Sequence, residues 1–127
     1  MAAEPCLLVV EDDVALRKLL VAALSRAGYT VLGAGSALEA DALLRDERRV
    51  PELLLADVGL PGEDGISFAR RLRAAHPGLH VVLVSGSGIE LRGLPADTIV
   101  LPKPFSPATL LVYIRTALHP GAARVAV

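Results

Sequence analysis

The chain has 127 residues, a length typical of one domain with a single hydrophobic core. Its 13 basic and 14 acidic residues give a net charge of −1 at pH 7, which excludes a strong electrostatic attraction to nucleic acid or anionic membranes. The apolar runs are far shorter than the roughly 20 residues of a membrane span, and the single cysteine, Cys6, excludes an intrachain disulfide. The N-terminus lacks the pattern of a secretory signal, so the expected location is cytoplasmic.

Apolar runs typical of strands alternate with segments of helical period, which favours a parallel sheet covered by helices on both faces. The first predicted strand is Cys6 to Glu11, and a helix over about 14–27 follows it. A second strand over about 29–34 precedes a helix that Ser36 can cap and that ends near residue 48. The first half of the chain is therefore predicted to form two strand–helix units.

The third predicted strand, Leu53 to Asp57, is apolar until it ends in a carboxylate. The glycine and proline residues after it predict a loop, and a helix over about 65–75 follows. The arginines within 70–73 are expected to form a solvated face of that helix. A fourth strand over 80–85 completes this part of the sheet.

The segment over 86–97 contains three glycines and a proline, so the fourth helix should be short or irregular. A fifth strand is predicted over about 98–101. Ser106 can cap the last helix and Pro107 suits its first turn, which gives this helix a well-defined start.

Polar side chains fall at the carboxyl ends of the predicted strands, where open α/β sheets bind ligands. These residues are Glu11, Asp12, Asp57, Ser85 and Lys103. Carboxylates held together repel each other, so a hard divalent cation such as Mg2+ suits this edge, and no histidine or cysteine cluster favours zinc. Lys103 can neutralise a bound phosphoryl group while one carboxylate attacks the phosphorus in line.

Four segments of the sequence resemble the receiver domain of bacterial two-component response regulators. They are LVVEDD (8–13), LADVGLPG (55–62) with DG at 64–65, VSG (84–86) and KPF (103–105). Each is common alone, but their order and their positions at strand ends are specific. The resemblance spans about residues 6–118 and implies a doubly wound, flavodoxin-like fold of five parallel strands in the order 2-1-3-4-5. The expected receiver domain covers 1–121, with 122–127 as a short tail or the start of a linker.

The resemblance also implies roles for the acidic residues. Asp57 matches the phosphoacceptor, and Asp12 matches the main metal carboxylate. Glu11 would be a second acid that acts directly or through water, and Asp57 and the backbone carbonyl of Gly59 would complete the Mg2+ site.

Two further residues match the receiver pattern, and two features depart from it. Ser85 matches the hydroxyl residue that follows the phosphoryl group, and Lys103 matches the lysine that pairs with it, before a cis bond to Pro104. Receivers usually carry an aromatic residue where this chain has Val100. Only 17 residues separate Ser85 from Lys103, a few fewer than usual. Both departures concern the output of the signal rather than the phosphorylation chemistry.

The implied function is phosphorelay signalling. A histidine kinase, or its histidine phosphotransfer domain, would phosphorylate Asp57, and the changed surface would alter contact with a downstream protein partner. The chain would not be an enzyme beyond its own phosphotransfer and autodephosphorylation. It is expected to be a monomer or weak dimer without direct contact with nucleic acid or membrane. The segments around Ser85 and Lys103 look most like receivers attached to hybrid sensor kinases.

Two alternatives use the same residues differently. Hydrolases of the aspartate-nucleophile phosphatase type also form an aspartyl-phosphate on a similar sheet, but they place an acid two residues after the nucleophile, where this chain has Gly59. A degenerate receiver would keep the fold as a binding module without phosphorylation. The intact Asp12, Asp57 and Lys103 argue against it.

Overall fold

A computed structural model describes residues 5–86 and 91–119. In these residues five parallel strands form one sheet in the order β2-β1-β3-β4-β5, which confirms the predicted topology. The strands are β1 (Cys6–Val10), β2 (Thr30–Ala34), β3 (Leu53–Asp57), β4 (His80–Ser85) and β5 (Ile99–Pro102). The helices are α1 (Val14–Arg26), α2 (Ala37–Glu47), α3 (Gly65–Ala75) and α4 (Pro107–Leu118).

The three inner strands β1, β3 and β4 are buried on both faces, which explains why they read as unbroken apolar runs. Successive residues of a strand point to opposite faces. Leu8 and Val10 therefore belong to one core cluster, together with Phe68 of α3 and residues of α2. Leu7 and Val9 belong to the second cluster, together with residues of α1 and α4. This three-layer packing holds the strand ends in fixed positions at one edge.

A side-chain cap starts each helix. Asp13, Ser36, Asp64 and Ser106 lie just before α1, α2, α3 and α4, and each accepts a hydrogen bond from a backbone N–H in the first turn. Such a cap stabilises a helix by about 1 kcal/mol. Asp13 therefore has a structural role that separates it from its two acidic neighbours.

The connection between β4 and β5 contains no helix within residues 91–98. This agrees with the predicted short or irregular helix, although residues 87–90, with Gly88, lie outside the described part of the chain, as does the predicted tail over 122–127. Arg73 of α3 donates a hydrogen bond from Nη1 to the carbonyl of Ala96 at 2.8 Å. No helix in the described residues is long and apolar enough to cross a membrane.

Candidate functional site

The five predicted site residues all lie at the carboxyl edge of the sheet. β1 ends at Val10 rather than at Glu11, so Glu11 and Asp12 both belong to the turn before α1. Asp57 closes the central strand β3, and Lys103 follows β5. Contacts bring these four side chains together. Ser85 ends β4 beside them, and its carbonyl accepts a hydrogen bond from the Lys103 N–H at 2.9 Å.

Three carboxylates form the centre of the site. One oxygen from each of Glu11, Asp12 and Asp57 lies within 4.8 Å of the other two. Glu11 and Asp57 are only 3% and 8% exposed, whereas Asp12 is exposed, so the cluster opens to solvent through Asp12. A set of oxygen donors of this kind suits a hard cation, and the cluster could hold a metal ion.

The Asp57 carboxylate is held through both oxygens. Oδ1 accepts a hydrogen bond from the Gly59 N–H at 2.9 Å, and Oδ2 contacts Lys103 Nζ at 2.5 Å. Burial alone would raise the pKa of Asp57, but the hydrogen bonds from Lys103 and Gly59 and the charge of Lys103 outweigh burial and lower it. Asp57 is therefore ionised at neutral pH, as a carboxylate nucleophile must be.

The pKa of Glu11 is shifted in the opposite direction to that of Asp57. Its Oε2 accepts a hydrogen bond from the Asp13 N–H at 3.0 Å, and its Oε1 lies 3.8 Å from Lys103 Nζ. Burial, with the negative charge of Asp57, raises the pKa of Glu11 to about 7 against the opposing bond from Asp13. Burial also acts to lower the pKa of Lys103, but its contact with Asp57 raises that pKa above its ordinary value, so the lysine stays charged.

The raised pKa of Glu11 predicts a pH-dependent effect of Glu11→Gln. The pKa of Glu11 in the folded state lies above its ordinary value of 4.5. The free energy of unfolding therefore falls as pH rises from 4.5 to about 7 and Glu11 ionises. Without metal, Glu11→Gln should therefore stabilise the fold at pH 8 by about 3 kcal/mol, and the gain should nearly vanish at pH 4.5. Urea unfolding in EDTA at both pH values measures it. The exposed Glu47→Gln is the control, and an equal gain at both pH values would contradict the assignment.

Glycines shape the loop after β3. Gly59, the predicted source of a metal-binding carbonyl, lies next to Asp57 and donates its N–H to that side chain. Gly65 begins α3 so close to β3 that a Cβ there would lie 2.2 Å from the carbonyl oxygen of Asp57. Any side chain at 65 would displace the Asp57 backbone. Sequence reasoning missed this role, although Gly65 belongs to the receiver-like DG pair at 64–65 and is the first residue of a helix.

Two further predicted features are Ser85 at the end of β4 and a cis bond between Lys103 and Pro104. Ser85 is 6% exposed, and its hydroxyl donates a hydrogen bond to the carbonyl of Gly86 at 3.2 Å. The Lys103–Pro104 peptide is cis, which confirms that expectation. Val100 pairs with Leu83 within the sheet, at the position where an aromatic residue was expected from the receiver pattern.

Known proteins have sequences similar to that of this chain. The profile of the family described as "Response regulator receiver domain" matches residues 7–115. The chain is 40% identical over 119 residues to the transcriptional regulatory protein AruR of Pseudomonas aeruginosa, covering 87% of this chain and 48% of AruR. It is 37% identical over 116 residues to the sensor kinase CckA of Brucella abortus, covering 88% of this chain and 12% of CckA. The chain thus spans about half the length of AruR and a small part of CckA.

Solved structures agree with the sequence comparison. The receiver domain of NtrX from Brucella abortus has 34% identity and a TM-score of 0.77, with 89% of this chain and 98% of that chain covered. A CheY-like response regulator receiver domain protein from Methanospirillum hungatei JF-1 has 26% identity and a TM-score of 0.82, with 96% and 99% covered. The phosphatase alternative is not favoured by these similarities. The chain belongs to the receiver domain family of two-component response regulators.

Proposed function

We propose that Asp57 accepts the phosphoryl group in this receiver. The observation that carries the proposal is the contact between the ionised Asp57 carboxylate and Lys103 Nζ at 2.5 Å, beside two further carboxylates. In the proposed step an Asp57 oxygen attacks phosphorus, and the bond from phosphorus to the donor's imidazole nitrogen breaks. The products are an acyl phosphate on Asp57 and an unphosphorylated histidine.

The acidic residues fit a Mg2+ site. Asp12 and Asp57 would bind the ion through carboxylate oxygens, Glu11 directly or through water, and Gly59 through its backbone carbonyl. When bound, Mg2+ would withdraw charge from the phosphoryl oxygens and lower the repulsion between them and the carboxylates. Lys103 would exchange its contact with Asp57 for a phosphoryl oxygen. Ser85 would turn its hydroxyl from the Gly86 carbonyl toward the same group.

We further propose that the phosphoryl donor is a histidine kinase or its histidine phosphotransfer domain, and that the receiver, proposed to span residues 1–121, passes its state to a downstream protein. Receiver domains interact with both classes of partner, which supports this assignment. AruR is a transcriptional regulatory protein and CckA a sensor kinase, so receivers of this kind occur in both contexts. The near-neutral charge supports a receiver that makes no direct contact with nucleic acid itself.

Phosphorylation by a small phosphodonor tests this function. Incubation with acetyl phosphate and Mg2+ should add one phosphoryl mass to the intact chain, and EDTA should prevent the addition. Hydroxylamine should remove the group, because it cleaves acyl phosphates. A hydrolase would consume acetyl phosphate over many turnovers without accumulating label, and a degenerate receiver would not be labelled at all. Either result would contradict the proposal.

The output of the switch is predicted to lie in the connection over 86–97. Val100 has no aromatic ring that could change position on phosphorylation. The described part of the connection lacks a helix, and the hydrogen bond from Arg73 to Ala96 joins it to α3. Elements with few regular hydrogen bonds are cheap to rearrange. Amide exchange with and without beryllofluoride, a stand-in for the phosphoryl group, should change most in residues 86–97.

The control for this exchange experiment is Asp57→Asn, in which beryllofluoride should leave protection unchanged. A constant protection of residues 86–97, with changes around Val100 and Tyr113 instead, would show that the connection is not the switch.

A further inference from the structure

The turn that carries Glu11 and Asp12 is fixed mainly through the backbone and carboxylate of Glu11. The Glu11 N–H donates to the Ala34 carbonyl at 3.0 Å, and Oε2 accepts from the Asp13 N–H at 3.0 Å. The Glu11 carbonyl lies beyond the end of β1, and a buried carbonyl needs a donor. That donor is a side chain: Arg17 Nη1 lies 2.8 Å from the Glu11 carbonyl oxygen.

Arg17 reaches this carbonyl because of its position on α1. Helical side chains point toward the N-terminus of their helix, so the guanidinium of a residue in the first turns lies over the preceding loop. The guanidinium lies close to Gly35, the residue after the end of β2. A Cβ at Gly35 would lie 2.9 Å from Arg17 Nη1 and 3.0 Å from the Glu39 carboxylate oxygen Oε2. A side chain at 35 would therefore force the Arg17 guanidinium to shift, and the Glu39 carboxylate of α2 lies on the same side.

We propose that Arg17 is a positioning residue of the acidic site. By holding the Glu11 carbonyl, its guanidinium fixes the turn from which Glu11 and Asp12 present their carboxylates. This inference rests on the proposed Mg2+-dependent function and extends it to a residue that need touch neither the cation nor the phosphoryl group. Partners that orient metal ligands in this way typically change metal affinity by about 10–100-fold when they are removed.

Mg2+ affinity measures this role directly. Titration of the metal-free chain with MgCl2, followed by backbone amide chemical shifts, gives the dissociation constant without any phosphodonor. Arg17→Met, which keeps an extended side chain but removes the donor, should weaken Mg2+ binding about tenfold. Arg17→Lys should recover part of the loss, because its ammonium can donate to one carbonyl. Lys18→Met removes the same charge from the next position of α1 and should leave the affinity nearly unchanged.

Gly35→Ala supplies a second test in which Arg17 itself is intact. The added methyl group would meet Nη1, the atom that bonds the Glu11 carbonyl, so the guanidinium must move. Mg2+ binding should weaken, and the same change in the Arg17→Met background should have little further effect, because both act through one contact. Gly78→Ala is the matched control, since a Cβ there meets no atom within 4 Å.

The outcomes separate this inference from the proposed function. If the wild-type chain binds no Mg2+, both fail. If it binds Mg2+ and Arg17→Met or Gly35→Ala binds equally well, the Arg17 inference alone is overturned. Additive losses from the two changes would also overturn it, because they would indicate independent structural damage. Thermal unfolding without metal shows whether Arg17→Met folds. If it does not, the Mg2+ affinity of Gly35→Ala decides the question.

Discussion

Asp57→Asn should reduce phosphoryl labelling by acetyl phosphate to background. The amide keeps the shape of the side chain but has no anionic oxygen to attack phosphorus, and it loses the charge that Lys103 pairs with. The variant should fold, because asparagine can still accept the Gly59 hydrogen bond. Intact mass spectrometry after incubation with acetyl phosphate and Mg2+ measures the effect.

The matched control for this loss is Asp46→Asn, which removes the same charge from an exposed position of α2. It should be labelled like the wild type. Equal labelling of Asp57→Asn and the wild type would place the acceptor elsewhere.

Asp12→Ala should weaken Mg2+ binding on the order of a hundredfold, the scale expected when one unit charge is removed beside a divalent cation near a protein surface. Asp12 is the exposed member of the three-carboxylate cluster, so its removal disturbs the fold little. Amide chemical shifts during an MgCl2 titration give the dissociation constant.

Asp13→Ala is the control for Asp12, because it removes an adjacent acid with a different role. Asp13 Oδ1 accepts the Leu16 N–H as the cap of α1, so its loss should lower stability by about 1 kcal/mol with little effect on Mg2+. Unchanged affinity in Asp12→Ala, or an equal loss in Asp13→Ala, would remove Asp12 from the metal site.

The sequence predicted the meeting of the acidic residues with Lys103 for one physical reason. In a parallel sheet all carboxyl ends share an edge, so polar residues that close apolar strands must come together. The motif order then resembled a known family and supplied the strand order. Neither step required knowledge of side-chain packing.

Contacts that depend on helix packing were not predictable in the same way. The arginines of α3 were expected to form a solvated face, and Arg70 and Arg71 are exposed. The sequence did not indicate that Arg71 pairs with Asp41 of α2 and Glu63 of the preceding loop at 2.9 and 2.7 Å. Arg73 bonds the carbonyl of Ala96, 23 positions along the chain. These partners are set by how α3 lies against its neighbours, which local sequence does not encode.

The position of the Arg17 guanidinium beside Gly35 and the close approach of Gly65 to Asp57 also depend on how the elements pack together. Glycine is tolerated in many settings, and the contacts that a Cβ at 35 or 65 would make appear only when the neighbouring atoms are located. Composition did predict the lack of a long regular helix that the structure shows over residues 91–97, because propensity is a local property. It could not identify the bond that ties the connection to α3.

Direct mapping of the modified residue in the wild-type chain tests the central claim most directly. After reaction with acetyl phosphate and Mg2+, borohydride reduces an acyl phosphate to the alcohol, and tandem mass spectrometry of the digest locates the change. We predict one modified residue, Asp57 converted to homoserine, and none when EDTA replaces Mg2+. Conversion of Asp12, Asp64 or another carboxylate in place of Asp57 would contradict the assignment, as would a chain that gains no phosphoryl group.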